Sequence, residues 1–246
     1  MLSPVINGIR YNINNKNDFI QSILLEGKQW NSDIIDIIKQ YISSKKLSHF
    51  LNVGSHIGTI SLPISLYINK VTSIEAYPET YKYLLENITL NNITNINTYN
   101  LALGNSTEKI YFMGMDNICE IENINRVKNN TGGMHIFTQN DINQKRRSSN
   151  CCDKKITNKI DKMDNLNIDN FDIMLVDIEG SEYNFLLGSR EKIIKNKPII
   201  IIEIWNNDKM KRENMDMTRE KTINYIISLN YKLVKQLNDD FIFEPI

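Results

Sequence analysis

Ser48-His49-Phe50-Leu51-Asn52-Val53-Gly54-Ser55-His56-Ile57-Gly58 opens with a short apolar run and closes on two glycines four residues apart. An apolar run that stops at glycine reads as a buried strand, and Thr59–Tyr67 reads as the helix it feeds. The same alternation returns downstream. Val71–Ala76 is a second strand, and Ile96–Leu101 a third. Between them Glu79–Asn91 is a helix, with Tyr83, Leu84, Ile88 and Leu90 at helical spacing. Phe171–Ile178 is apolar except for Asp172, Ser181 to about Lys195 is helical, and Pro198–Trp205 is the most apolar segment of the chain. A helix near Met215–Leu229 leads to two short strands, Tyr231–Gln236 and Phe241–Glu244, around Asn238-Asp239-Asp240. Continuously apolar strands that alternate with helices specify a parallel sheet covered on both faces. The expected fold is α/β and doubly wound, with an antiparallel strand from the closing hairpin. Ligands of such sheets sit beyond the carboxyl ends of the strands.

Upstream of that core, the first fifty residues read as helical. Ile34, Ile37, Ile38, Tyr41 and Ile42 recur at spacings of three and four, with Ser32 or Asp33 as N-cap. The expectation is one domain over 1–246, with 1–47 as an N-terminal helical extension. Lys109–Met113 reads as a further strand. From about Gly114 to Ile156 the chain turns polar and Asn-rich, with Gly132-Gly133 and the basic cluster Lys145-Arg146-Arg147. This predicts a long loop or lid insertion over 114–156. No repeat recurs at a fixed period.

The composition removes several classes. The 246 residues carry 29 basic and 29 acidic side chains, so no net charge offers a phosphate-backbone footprint. The three cysteines include no CxxC pair, which excludes a disulfide scaffold and a zinc ribbon. No apolar run approaches the roughly 18 residues of a membrane span. The start shows no basic region followed by an apolar core, so the expected location is cytoplasmic, or the host cytoplasm for a viral protein. Asn and Ile supply roughly three residues in ten, far above average usage. Such a bias follows from an AT-rich coding genome, as in some parasites and large DNA viruses.

The chemistry-bearing residues fall at predicted strand ends. Gly54 allows a tight turn and close backbone approach to a ligand, and Gly58 lets the next helix start against the strand. The spacing is GxxxG rather than the GxGxxG that admits a pyrophosphate, which favours a nucleoside without phosphate, such as S-adenosylmethionine. Glu75, about twenty residues on, can accept both hydroxyls of a ribose. Ala76 and Tyr77 follow, Tyr77 as a candidate to pack on the adenine, and Ala102-Leu103 stand where backbone can meet the adenine edge. Asn52, Gly54, Ser55, His56, Gly58, Glu75, Ala76, Tyr77, Ala102, Leu103 and Asp177 form the expected cofactor set.

These elements resemble the FkbM-type S-adenosylmethionine-dependent methyltransferases. The family's D-V-G-x-x-x-G turn is matched by Asn52-Val53-Gly54 to Gly58, and its F-E-P-x-P by Ile74-Glu75-Ala76-Tyr77-Pro78. L-x-x-N is matched by Leu84 to Asn87, and an alanine-leucine-glycine step by Ala102-Leu103-Gly104. Asp177-Ile178-Glu179-Gly180-Ser181-Glu182 matches D-V-E-G-x-E, the most specific element. Glu203 and the ending Phe241-Ile242-Phe243-Glu244-Pro245 complete the likeness, which runs from about Phe50 to the end. Two positions depart from the pattern: Asn52 stands for a carboxylate, and Leu175 for a frequent lysine. The resemblance implies a Rossmann-like class I methyltransferase with a mostly parallel seven-stranded sheet. It also implies O-methylation of a small polar acceptor, a sugar or sugar nucleotide of glycan biosynthesis.

Asp177 and Glu179 end one strand and Glu203 the next. Residues two apart in a strand share a face, so Asp177 and Glu179 can point together if the strand continues. Such carboxylates can balance a sulfonium, take a proton from a hydroxyl, or hold a divalent cation such as magnesium, for which Asp177, Glu179 and Glu203 are the candidates. Glu179 is the expected base and Asp177 its supporting carboxylate; the alternative is that Glu179 caps the helix at Ser181. His135 is a second candidate base, against its being a solvated loop residue. Glu203 and Trp205 are candidates for the substrate pocket, with core closure the alternative for Trp205. Lys145-Arg146-Arg147 could meet an anionic substrate or simply be solvated.

The turn after the fourth strand has no Pro-Pro-aromatic sequence, which disfavours methylation of a base nitrogen, and the lack of a basic face disfavours duplex nucleic acid. Two rivals stay open: a methyltransferase of RNA ribose hydroxyls, and a module that binds S-adenosylmethionine without turnover. Expected partners are a small-molecule acceptor and, as an open alternative, further copies of the chain in a homo-oligomer.

Overall fold

The computed structural model describes residues 3–13, 18–113, 131–145 and 152–246. It divides into two compact units, residues 1–100 with 115–134, and residues 101–114 with 135–246.

The first unit begins with β1 (Val5–Ile6) and β2 (Ile9–Arg10), an antiparallel ribbon. This corrects the expectation of helix throughout the first fifty residues. Asn7 and Gly8 both have positive φ, 49° and 85°, which an Asn-Gly turn adopts readily and which joins two strands directly. Next come α1 (Phe19–Leu25), α2 (Ser32–Lys45), β3 (His49–Val53), α3 (Ser61–Ser65), β4 (Lys70–Ile74), α4 (Pro78–Leu90) and β5 (Ile96–Tyr99). The apolar stripe read in α2 is buried at Ile34, Ile37, Ile38 and Ile42, as its spacing requires. β3, β4 and β5 pair in parallel. Ile6, Ile9, Tyr11, Ile13 and Leu24 form one buried cluster with Ile57, Leu62 and Leu84, so the ribbon packs on the residues that follow β3.

The second unit holds β6 (Ala102–Leu103), β7 (Glu108–Met113), β8 (Ile136–Phe137), α5 (Gln139–Asn143), β9 (Cys152–Asp161), β10 (Ile173–Val176), α6 (Glu182–Leu187), α7 (Arg190–Asn196), β11 (Ile199–Glu203), α8 (Asn207–Arg212), α9 (Arg219–Ser228), β12 (Tyr231–Leu237) and β13 (Asp240–Pro245). A four-stranded sheet runs in the order β6-β9-β7-β8. The larger sheet counts seven strands, of which this unit holds β12-β13-β11-β10, neighbours in that order. Within it β10 and β11 are parallel, while β13 is antiparallel to both β11 and β12. The expected mixed, mostly parallel sheet with a closing hairpin is present.

The long loop expected over 114–156 is corrected where it is described. A short 3₁₀ turn covers Thr131–Gly133, β8 follows, and α5 opens on a capping box in which Thr138 and Asp141 bond each other's backbone N–H. Residues 114–130 and 146–151, with Arg146 and Arg147, lie outside the described residues. β9 carried no strand signal because its sequence is largely polar. The single helix read over 181–195 is two, parted at Gly188-Ser189. Among the described residues no helix is long and apolar enough to cross a membrane.

Candidate active site

In the first unit, β3 delivers the chain into the glycine turn. The N–H groups of Gly54 and Ser55 both reach Ile74 O, at 2.9 and 3.0 Å, which binds the turn to the end of β4. Gly54, His56 and Gly58 have φ of 89°, 50° and 94°, so the turn requires the left-handed region three times. Asn52, 1% exposed, donates from Nδ2 to Ser61 Oγ at 2.8 Å. Its Oδ1 is buried and meets no donor among the described residues. Ser55 donates back to Asn52 O.

Glu75 follows β4 directly. Its Oε2 accepts the His56 N–H and its Oε1 the Tyr77 N–H, both at 2.8 Å. The Ala76 backbone N–H adds a third bond, and the four or so lone-pair sites of a carboxylate leave room for a hydroxyl donor. Burial pushes the carboxyl up to about 7, against the lowering effect of those backbone donors. Asn100 Nδ2 donates to Glu75 O at 2.8 Å, fixing this backbone from the far side of β5. Tyr77 is buried and Ala76 half-buried. Asn87, the last residue of the L-x-x-N match, donates to Ile57 O at 2.9 Å and accepts Asn12 N–H at 2.6 Å. It ties the glycine turn to the N-terminal segment, a role the sequence did not disclose.

In the second unit, β10 ends at Val176, so the strand does not continue to Glu179 and the shared-face argument does not apply. A different geometry gathers the carboxylates. Glu179 and Gly180 both take positive φ, 54° and 87°, and one oxygen each of Asp177, Glu179 and Glu203 lies within 4.8 Å of the others. Burial, then the charges of Glu203, Glu179, Glu182 and Asp240, hold Asp177 well above the usual carboxylate range. Burial also raises Glu203, opposed by Lys209, by the Trp205 indole and by a hydrogen bond to Asp177.

Glu182, the first residue of α6, holds the turn before it: its buried Oε1 accepts the N–H of Ile178 at 3.1 Å and of Gly180 at 3.0 Å. Burial, followed by the charge of Glu203, pushes Glu182 up to about 7. Glu182→Ala should therefore cost about 2–3 kcal/mol by stranding two backbone donors, read as a lowered midpoint in urea unfolding with an unchanged slope.

Trp205 is fully buried and does not present an open wall. Lys209 Nζ lies 3.5 Å over its ring, His135 packs against it with centroids 5.5 Å apart, and its indole N–H donates to Glu203 at 2.8 Å. His135 is thus no solvated loop residue; its Nδ1 is 3.9 Å from Glu213. Lys209 also approaches Glu179 Oε2 at 3.9 Å, a cation beside the acidic group that the sequence reading overlooked. Ala102 and Leu103 are buried in β6 and pair with Ile160 and Asp161 of β9.

A mostly parallel, doubly wound α/β sheet defines a Rossmann-like architecture. Within that class, residues 52–233 match the methyltransferase FkbM domain model, and the chain belongs to that family. No curated protein matches the sequence. Methyltransferase FkbM from Methylobacillus flagellatus KT superposes with a TM-score of 0.51 at 16% identity, over 92% of this chain and 52% of that one. The chain therefore spans about half the length of that relative. A candidate O-methyltransferase from Klebsiella pneumoniae gives 0.50 at 8% identity, covering 88% of this chain and 81% of its own. TYW2 of M. jannaschii, solved in complex with AdoMet, gives 0.46 at 15%, covering 99% and 86%. Identities this low speak to the shared fold alone.

Proposed function

We propose that the chain is an S-adenosylmethionine-dependent O-methyltransferase acting on a hydroxyl of a small polar acceptor, a sugar or sugar nucleotide. The observation that carries the cofactor half is Glu75, whose carboxylate is fixed at the end of β4 by backbone N–H groups and keeps room to accept from a ribose hydroxyl. The acceptor class rests on the family resemblance.

S-adenosylmethionine supplies an electrophilic methyl group on a sulfonium. Glu75 binds the ribose hydroxyls, Asn52 Oδ1 accepts from the amino-acid end, and the glycine turn admits the ligand against backbone. Alignment of donor and acceptor supplies up to ~7–11 kcal/mol of the barrier, and a positioned base adds about 10²–10⁴-fold. Glu179 is the base in this reading. Asp177 and Glu203 support it, and burial raises the proton affinity of both. Three convergent carboxylates are also the hard oxygen ligands magnesium prefers, although Lys209 already brings a cation to Glu179.

A second reading, cofactor binding without turnover, is favoured by Leu175, a buried aliphatic residue where the family often has lysine. Calorimetry with S-adenosylmethionine and its demethylated product tests the shared part: micromolar binding of both is expected, and absence of both ends the proposal. A methyl-transfer screen over sugar nucleotides, run with magnesium and with a chelator, separates the readings. Glu179→Ala should lower turnover by about 10²-fold or more; unchanged turnover removes Glu179 from the chemistry.

A further inference from the structure

His56 lies in the glycine turn, 8% exposed, and its ring closes a hydrogen-bonded chain within the first unit. Its Nε2 is 2.8 Å from Thr131 Oγ1. The Thr131 hydroxyl donates its one proton to Asp18 Oδ2 at 2.7 Å, and the Thr131 N–H donates to the same oxygen at 2.6 Å. Asp18 Oδ1 accepts the Gln21 N–H at 2.9 Å. Since the hydroxyl proton is committed to the carboxylate, Thr131 Oγ1 can only accept from His56, so Nε2 bears the imidazole proton and Nδ1 the lone pair.

That Nδ1 is buried with no partner among the described residues. Asp18 is fully buried, and among the described residues no lysine or arginine pairs with it. A buried carboxylate without a cation, joined through a hydroxyl to a buried acceptor without a donor, is costly unless something cationic completes it.

We propose that the Asp18–Thr131–His56 chain receives the α-ammonium group of the cofactor at His56 Nδ1, making His56 a positioning residue for the amino-acid end. The inference rests on the cofactor reading above. The ligand's own chemistry narrows the choice: its donors are the adenine amine, two ribose hydroxyls and the α-ammonium. Glu75 accounts for the hydroxyls, and its Oε2 is bonded to the backbone of His56 itself. The ammonium is the only cationic donor, and Asp18 lends the relay a charge of opposite sign. Burial lowers the imidazole pKa, against the pull of Asp18, which keeps Nδ1 an acceptor near neutrality.

The test is a ligand series on the full chain: S-adenosylmethionine and S-adenosylhomocysteine, which carry the ammonium, and 5′-methylthioadenosine, which does not. His56→Gln offers a donor or acceptor at the Nε2 position and should weaken the first two by about tenfold to a hundredfold while sparing methylthioadenosine. His56→Asn places an amide oxygen where Nδ1 stood, suits the positive φ, and should restore most of that loss. Thr131→Val should show the same ligand selectivity as His56→Gln, at smaller size. Ring ¹⁵N spectra of histidine-labelled protein give a readout independent of variants: a protonated Nε2, and an Nδ1 signal that moves with S-adenosylmethionine but not with methylthioadenosine. Equal weakening of all three ligands, or an Nδ1 indifferent to which is added, overturns the inference and leaves the cofactor reading intact. If the wild-type protein binds none of the three, the cofactor reading fails and takes this one with it.

Discussion

Glu75→Gln should weaken S-adenosylmethionine binding by about 150-fold, equivalent to about 3 kcal/mol, the scale of a charge-assisted hydrogen bond lost together with a backbone donor left unpaired. The substitution is nearly isosteric, so the effect is chemical. Both oxygens of Glu75 accept backbone N–H groups, from His56 and Tyr77. A glutamine has only one oxygen, so its NH₂ must face one of those N–H groups, donor against donor. The pH dependence carries its own signature. Burial holds the carboxyl at about 7 rather than its ordinary 4.5. For folding, a raised acid favours the protonated native state; that contribution is full below about 4.5 and is lost as pH rises through about 7. Ribose binding runs the other way, because hydroxyl donors need the ionised form. Affinity measured by calorimetry should rise roughly tenfold from pH 6 to 8, most of it below pH 7, and flatten above, and the glutamine variant should show no such slope. A flat wild-type profile would remove Glu75 from the ribose site.

What the sequence disclosed follows from periodicity and chemistry acting over short range. β3, β4, β10 and β11 are buried almost throughout, so both faces favour apolar residues and their places are legible to within a residue or two from consecutive positions. The ribbon at Val5–Arg10 is written just as locally, in Asn7-Gly8, but two strands of two residues each carry too short a pattern to stand against the helical stripe of α2. β9 is polar and made by its partners, so no local pattern could announce it. The site divides similarly. Glu75 was legible because one position after one strand sufficed. The gathering of Asp177, Glu179 and Glu203 was expected from strand periodicity, yet it arises from a left-handed turn that Gly180 and Glu182 support. The pairing of His56 with Thr131 and Asp18 spans 75 and 113 residues, a distance over which spacing carries no signal.

The alanine-leucine-glycine step shows how a family motif can serve packing. Gly188 ends α6 with an ordinary negative φ, so no backbone preference calls for glycine there. What calls for it is contact: a Cβ on Gly188 would lie 1.8 Å from Gly104 O and 2.7 Å from its carbonyl carbon. Backbone cannot rotate aside as a side chain does. Gly188→Ala should therefore destabilise by about 3 kcal/mol or more, lowering the melting temperature by about 6–12 °C for a chain of this size. Gly104→Ala is the internal comparison. Its Cβ would meet Ile160 Cδ1 at 2.4 Å, the movable end of a side chain, so the cost should stay near 1 kcal/mol. The consequence reaches the acidic cluster, because α6 begins with Glu182, which holds the N–H groups of Ile178 and Gly180. Displacing α6 from the 104–105 backbone loosens that hold, and hydrogen exchange at Ile178 and Gly180 should accelerate in Gly188→Ala but not in Gly104→Ala. A melting temperature within 2 °C of wild type would mean that the close approach of Gly104 and Gly188 does not constrain this fold.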